Sequence, residues 1–267
     1  RQMEEALDVL LFDRSARQAR PTEAGQELLR EGARLLAEVD AVANRVRRVA
    51  TGWEPELRIA VDGVVSRTTL LELVEAFYTI APPTRLKITD SILAGTLEAL
   101  SSGRADLAIG IAVDASHVAG LQQLDLGEIT FRYVVAPHHR LADEMQPISD
   151  EVLRQHRIIA VADSSRSGQG QTIGVINGQD VLTVDTMQAK LQAQLRGIGG
   201  GFLPDNMTMP YLRSGQLVER ELMRPPRKIK LRYAWRGTNP GKALQWWLDQ
   251  LQSEATRTSL LSNHYVG

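Results

Sequence analysis

Apolar side chains recur at heptad spacing between residues 22 and 49, where no proline interrupts the chain. The heptad seam consists of leucines and valines spaced 7, 4, 3, 4 and 3 residues apart: Leu28, Leu35, Val39, Val42, Val46 and Val49. A seam sustained over about three heptads is typical of a helix that pairs with a partner helix. We therefore predict a linker helix over residues 22–50, with dimerisation contacts at Leu28, Leu35, Val39, Val42 and Val46.

An alternative remains open for this helix. Leu29, Ala33 and Leu36 form a second apolar stripe, so the helix could instead be amphipathic and pack on its own domain. At its start, Thr22 is suited to cap the helix, and Glu23 suits the positive end of the helix dipole. The preceding residues predict a helix end over 1–7 and a short strand over Val9 to Phe12.

The segment Thr51 to Pro55 breaks the helical pattern, and strands and helices alternate beyond it. Apolar runs predict strands at 57–61, 86–89, 107–111, 129–136, 157–162, 181–184, 217–219 and 229–235. Amphipathic segments predict helices after Ser66, over 96–102, after the turn at 136–139, over 187–195 and over 242–252. This order predicts an α/β fold with parallel strands, arranged as two lobes of about 100 residues each.

Composition limits the class of protein. The 267 residues are 43% hydrophobic and 24% charged, with a net charge of −1 and no cysteine, which excludes disulfides and thiolate metal sites. No apolar run approaches the roughly 18 residues of a membrane span, and the first residues are too charged for a signal peptide. We therefore expect a cytoplasmic protein without membrane contact. The charge is uneven, because three arginines lie close together at Arg14, Arg17 and Arg20.

Motifs of the common enzyme classes are not found. The five histidines have no zinc-like spacing, GTNPGK (237–242) is too short for a P-loop, and no G-x-S-x-G occurs. The glycines of 197–201 do not form G-x-G-x-x-G, so no dinucleotide site is indicated. We expect no catalytic residues, no metal and no cofactor.

Four segments in order carry a resemblance to a known family. EEALDVLLFDRSARQARPTEAG (4–25) resembles the distal half of the DNA-binding domain of LysR-type transcriptional regulators, matching at Leu11-Phe12, Arg14, Arg17 and Thr22 to Gly25. Pro21 departs from the leucine more usual there. SGRADLAIG (102–110), APHHRLA (136–142) and RGIGGGFLP (196–204) are similar to three further family segments, so the resemblance extends over residues 1 to about 252.

The resemblance implies a particular architecture. Residues 1–21 would be the remnant of a winged helix-turn-helix and 22–50 a dimerising linker helix. An effector domain like that of periplasmic binding proteins (type 2) would follow. Its Rossmann-like lobe I would comprise 56–135 and 233–252, lobe II 136–232, and the tail 253–267. The chain opens part-way through a helical pattern, so the first two helices and most of the recognition helix would lie outside it. Base-reading residues are therefore not assigned, and this part is not expected to bind DNA specifically.

The resemblance also implies two sites. Arg14, Arg17 and Arg20 would contact DNA phosphates from the wing, which fixes position without reading sequence. A small polar or anionic effector would bind between the lobes, at the carboxyl ends of the strands. The residues expected there are Ser66, Arg67, Ser91, Ile92, Asp163, Ser164 and Phe202. Simpler roles stay open: Ser66 as an ordinary helix cap, Arg67 as a surface cation and Phe202 as core.

We thus predict a homodimeric or tetrameric regulator of promoter DNA that senses a small molecule. A rival interpretation is a cytoplasmic solute-binding module without DNA function, which would need neither the heptad seam nor the wing. An enzyme on the same fold is a third possibility.

Overall fold

The chain is described here from a computed structural model, over residues 2–13, 19–80, 82–116, 118–165 and 174–262. The side chains at 41, 44, 45, 47 and 48 are excepted. No helix in these ranges is long and apolar enough to cross a membrane.

Helices and strands alternate along most of the described chain, as the apolar patterns predict. The helices are α1 Gln2–Leu7, α2 Glu23–Thr51, α3 Arg67–Thr79, α4 Ala94–Ser101, α5 Asp150–Arg154, α6 Met187–Leu195, α7 Asp205–Arg213, α8 Lys242–Gln252 and α9 Glu254–Ser262. The strands are β1 Phe12–Asp13, β2 Arg20–Pro21, β3 Glu56–Asp62, β4 Arg85–Ser91, β5 Leu107–Ile111, β6 Leu121–Val135, β7 Ile158–Val161, β8 Val181–Val184, β9 Gly201–Pro204, β10 Val218–Glu219 and β11 Arg227–Arg236.

The N-terminal hairpin is fastened to the start of α2. Strands β1 and β2 pair antiparallel, and the Thr22 hydroxyl both donates to the Leu10 carbonyl (2.7 Å) and accepts from the Gly25 amide (3.1 Å). Thr22 therefore caps α2, as predicted, and also ties it to the hairpin. A side chain at Gly25 would meet the Leu11 carbonyl oxygen at 2.1 Å, so only glycine permits this approach.

Lobe I is built on the parallel strands β4, β3 and β5, which stand side by side in that order. Strand β11 continues the sheet antiparallel to β5. Apolar residues at helical spacing on α3 and α8 bury one face of each helix. The two helices meet where Phe77 packs against Trp247.

Lobe II is built on β7 and β8, which are parallel, and on β9 and β10, which flank the end of β6. A bridge between Ile158 and Gly200 joins β7 to the start of β9. Strand β6 belongs to both lobes, because residues 121–131 pair with β11 while residues 131–135 pair with β9 and β10. The lobe limits drawn from the sequence remain a prediction.

The structure confirms the predicted α/β class and departs from several predicted elements. Of the strand expected over 9–12, only Phe12 lies in a strand (β1), and β9 was not expected. Residues 253–262, expected as a tail, form α9, which packs on lobe I through the fully buried Leu260. Helix α7 was not expected, because Pro210 lies inside it and a proline normally argues against a helix interior. Strand β6 begins eight residues before the expected 129. Its first half was not predicted as strand because it is rich in polar residues and contains Gly127.

Candidate functional site

The two lobes meet at the carboxyl ends of their strands, and we call the space between them the cleft. Lobe I presents two turns there: the first turn, residues 63–66 between β3 and α3, and the second turn, residues 92–93 between β4 and α4. Lobe II presents residues 162–164 after β7 and the first residues of α6 and α7. This is the location at which open α/β folds bind ligands.

Asp62, at the end of β3, joins the two lobe I turns. Its carboxylate accepts hydrogen bonds from the amides of Val64 (3.1 Å) and Leu93 (3.0 Å) and from the Thr96 hydroxyl (3.3 Å). Burial raises the pKa of Asp62 to about 6, and the nearby Asp163 adds to the increase, although the hydrogen bonds oppose it. The carboxylate thus fixes the relative position of both turns.

The second turn has an unusual backbone. Leu93 has a φ of +56°, in the left-handed region, and its side chain provides no cap for α4. At the start of α4, the Leu93 amide donates to Asp62 and the Gly95 amide donates to Asp163 of lobe II. Strain of this kind persists only where the surroundings impose it.

Lobe II reaches across the cleft to that same turn. The Ser164 hydroxyl accepts from the Ile92 amide (2.8 Å), and the Ser164 amide donates to the Ile92 carbonyl (3.3 Å). The Asp163 carboxylate accepts from the Gly95 amide (3.3 Å). We call these bonds the latch. They bring together three of the residues predicted from the sequence, Ile92, Asp163 and Ser164.

Two further residues bridge the lobes and were not predicted. The Asn206 amide, at the start of α7, donates to the Val64 carbonyl (2.9 Å), while its buried oxygen has no partner among the described residues. Met187 lies over Gly63, where an added methyl group would meet its side chain at 3.1 Å. Asn206 lies two residues after the RGIGGGFLP segment, and this proximity to a family segment is the one signal in the sequence that points to it. Nothing in the sequence marks Met187.

Three other predicted cleft residues form their contacts within lobe I. Ser66 is fully buried and caps α3 by accepting from the Thr69 amide (3.3 Å). Ser91 is buried, and its carbonyl accepts from the Gly63 amide (3.1 Å). Arg67 forms an ion pair with Asp90 of β4, and desolvation lowers the pKa of this arginine.

Phe202 lies inside lobe II. Its ring packs edge-on against Tyr133, with centroids 5.3 Å apart, within an apolar cluster of that lobe. It lies on the strand β9 and contributes to the core, the simpler of the two roles considered from the sequence.

The predicted DNA-contacting arginines lie on the hairpin. Arg20 is on β2, exposed and paired in register with Asp13. Arg14 and Arg17 fall outside the described residues.

The heptad seam is open to solvent in the single chain. Val39 is 64% exposed and Val46 is 66% exposed, and Leu35 and Val42 are also exposed, while Leu28 is half-buried. A groove of about 1410 Å³ separates α2 from lobe I, lined partly by Leu29, Ala33 and Ala37. The helix is therefore not closely packed on its own domain along this length. Val42 lines the groove, whereas Leu35, Val39 and Val46 are exposed in the single chain.

Comparisons with known proteins agree on one family. A model described as the LysR substrate binding domain matches residues 50–256. The chain is 32% identical over 249 residues to YeeY, an uncharacterized HTH-type transcriptional regulator of Escherichia coli, covering 93% of this chain and 81% of YeeY. It is 30% identical over 257 residues to PunR, an HTH-type transcriptional regulator of the same species, covering 96% of this chain and 83% of PunR.

A solved structure shows the same fold. Full-length LysG of Corynebacterium glutamicum, with its bound effector Arg, superposes with a TM-score of 0.60 at 19% identity, covering 99% of this chain and 87% of LysG. The likeness extends over the hairpin, the long helix and the two lobes.

Proposed function

The chain belongs to the LysR family of transcriptional regulators, and on that premise we propose that its cleft binds a small-molecule effector whose binding changes how a dimer engages promoter DNA. The observation that carries the proposal is the latch, a set of hydrogen bonds that joins the two lobes across the cleft, beside the Asn206 and Met187 contacts. A ligand that binds better to one lobe arrangement shifts the population towards it. The long helix α2 would carry that shift to the DNA-binding head.

The predicted effector residues divide into two groups on this proposal. Ile92, Asp163 and Ser164 lie at the contact between the lobes, so a ligand entering the cleft would replace part of their bonding, and Ser91 precedes Ile92 on the lobe I side. Ser66 and Arg67 would affect effector binding indirectly, because they hold the start of α3 in place beside the cleft. Phe202 would act indirectly as well, through the core of lobe II.

Replacing Ser164 by alanine is expected to loosen the latch. The Ile92 amide loses its acceptor, which costs about 1–2 kcal/mol and exposes that amide to solvent more often. Hydrogen exchange measured over residues 92–96 should become several-fold faster, and exchange within β3 should not change. Ser214→Ala is the matched control, because Ser214 caps α7 on the surface of the same lobe. Equal exchange rates in wild type and Ser164→Ala would contradict the latch.

Phosphate contact by the hairpin is the second part of the proposal. Arg14, Arg17 and Arg20 would neutralise phosphates, and each contact steepens the dependence of binding on salt. Arg20 supports this, since it is exposed on the hairpin that Thr22 and Gly25 hold against α2.

An electrophoretic shift assay with a promoter fragment tests that contact, using the full-length protein. Arg20→Gln should weaken binding to all sequences alike and reduce the slope of log K against log salt by about 1. Arg85→Gln, an exposed arginine on lobe I, should leave the slope unchanged. If the two variants behave alike, Arg20 does not contact DNA. If wild type fails to shift the fragment at either of two salt concentrations, the solute-binding alternative is favoured.

We also propose that the protein is a cytoplasmic dimer or tetramer that releases its effector unchanged. The open heptad seam supports association, and no relative reported above is named as an enzyme. Incubation with any compound that stabilises the protein thermally, followed by analysis of that compound, separates a sensor from an enzyme.

A further inference from the structure

The junction between α2 and lobe I is held by a buried carboxylate. Glu54, which lies just beyond the end of α2, is 9% exposed. Its two oxygens accept hydrogen bonds from the backbone amides of Gly241 (2.8 Å) and Ala243 (3.0 Å), at the start of α8. Amides at a helix N-terminus lack partners within the helix, and the helix dipole favours a negative charge beside them. Glu54 therefore caps α8 from 187 residues earlier in the chain.

The start of α8 is shaped to receive this carboxylate. Its N-cap residue is Gly241, which provides no side-chain hydrogen bond to the helix. A methyl group added to Gly241 would lie 2.5 Å from the carboxyl carbon of Glu54, so a larger residue would displace the carboxylate. A serine or aspartate at the N-cap would cap α8 locally. The chain uses a distant charge instead, which joins two elements that a local cap would leave separate.

The same segment is bound from a second side through its backbone. The Glu54 carbonyl accepts from the buried Thr84 hydroxyl (2.5 Å), and the Pro55 carbonyl accepts from the Arg85 amide (2.9 Å). The sequence marks residues 51–55 only as a break in the helical pattern. In the folded chain this break is fixed between α8 and the start of β4.

Lys242 adds two contacts at the junction. Its amide donates to the Gly52 carbonyl (2.8 Å), and its ammonium lies over the Trp53 ring, 5.9 Å from the ring centroid. Gly52 has a φ of +76°, the left-handed conformation that commonly ends a helix. Each residue from 52 to 55 thus contacts α8 or the start of β4.

The described part of α2 is held more loosely before this junction. The groove already noted separates the helix from lobe I, and Arg30 and Arg34 pair with glutamates of α2 itself. At Ala37, even a methyl group added to Gly103 of lobe I would lie 3.9 Å away. The direction of α2 is therefore determined mainly at the junction, where α8 is anchored in the core by the fully buried Trp247.

We propose that Glu54 is a positioning residue, whose carboxylate fixes the angle between α2 and lobe I by joining the end of α2 to the start of α8. The importance of that angle for DNA rests on the proposed function, in which the hairpin at the far end of α2 contacts the promoter. Without the carboxylate, α8 loses its cap and α2 samples a wider range of directions. A residue that only stabilised α8 would produce the first effect without the second.

The test measures the angle through a distance. The sequence contains no cysteine, so spin labels can be placed at two exposed positions, Ala24→Cys at the start of α2 and Glu75→Cys on α3. Pulsed electron paramagnetic resonance gives the distribution of distances between the labels, and excess unlabelled chain removes distances between copies. We expect Glu54→Gln, which turns an NH₂ group towards one of the two α8 amides, to broaden this distribution by about two-fold or more. Gly241→Ala displaces the carboxylate from the other side of the contact and should broaden it similarly.

Thr186→Ala is the matched control, because it removes a side-chain cap from α6 of lobe II, where the Thr186 hydroxyl accepts from the Ala189 amide (3.1 Å). All three variants should lower the midpoint of thermal unfolding, but Thr186→Ala should keep the wild-type distance distribution. The proposal is wrong if Glu54→Gln and Gly241→Ala lower the midpoint and keep that distribution, or if Thr186→Ala broadens it equally. Should Glu54→Gln fail to fold, Gly241→Ala decides, since it retains the charge.

A DNA measurement separates this inference from the proposed function. Dimeric regulators contact two half-sites at a fixed spacing, so the full-length protein is compared on a promoter fragment and on the same fragment with one base pair inserted between the half-sites. A loosened α2 should reduce the preference for the natural spacing several-fold. Broadened distances with an unchanged preference would uphold the positioning role and count against the regulator proposal. An unchanged distance distribution overturns the role of Glu54, whatever the promoter fragments show.

Discussion

Replacing Val39 by glutamate is expected to raise the dissociation constant of the dimer by about 100-fold or more. Val39 is 64% exposed in the single chain, on the open heptad seam of α2. If the seam pairs with a second copy, each chain loses the burial of one valine, about 1.5 kcal/mol or more. Each interface would then bury a carboxylate without a partner, which adds the cost of its desolvation.

Light scattering coupled to size-exclusion chromatography measures this change over a dilution series. Ala33→Glu introduces the same charge on the same helix away from the seam, and it should leave the mass unchanged. The circular dichroism of both variants should show the same helix content. If Ala33→Glu dissociates the protein and Val39→Glu does not, the register of the seam is wrong and the second apolar stripe forms the interface.

Replacing Asp62 by asparagine is expected to destabilise the effector lobes by about 2–3 kcal/mol at neutral pH. The asparagine oxygen still serves the Val64 amide, but its NH₂ group then faces the Leu93 amide across 3.0 Å, donor against donor. Both lobe I turns lose their common anchor. The midpoint of thermal unfolding should fall by roughly 4–12 °C.

The effect of this substitution should depend on pH in a defined direction. Burial raises the folded pKa of Asp62 from 3.8 to about 6, so the wild-type carboxyl contributes most below 3.8 and loses that contribution as the pH rises through 6. The stability difference between wild type and Asp62→Asn should therefore be larger at acid pH than at pH 7. Urea unfolding at several pH values measures it. Asp114→Asn, an exposed carboxylate with two hydrogen bonds of similar length, is the control, and an equal loss there would remove any special role for Asp62.

Elements whose apolar residues face one core were predictable from the sequence. Helices α6 and α8 and strands β5 and β8 begin and end at the expected residues, because each has an uninterrupted periodic pattern. Helix α7 and helix α9 were not expected, since Pro210 interrupts the former and the latter buries mainly Leu260. Their helical form depends on packing against the lobes, which no local pattern records.

The cleft was predictable in position but only partly in residues. The rule that ligands bind at strand ends led to Ile92, Asp163 and Ser164, which meet across the lobes. Asp62 and Asn206 were missed, because their importance comes from backbone groups that they bond to 30 or more residues away.

The close approach of Gly25 to Leu11 has a mechanical consequence for the whole molecule. Because that joint is close and is tied by the Thr22 hydrogen bonds, we expect the hairpin to move together with α2, whose 29 residues extend roughly 43 Å. A tilt of about 5° where α2 meets the lobes would displace its far end by roughly 4 Å, close to one base step along a DNA strand. On the proposed function, the long helix would amplify a small rearrangement of the lobes into a displacement of the hairpin on DNA.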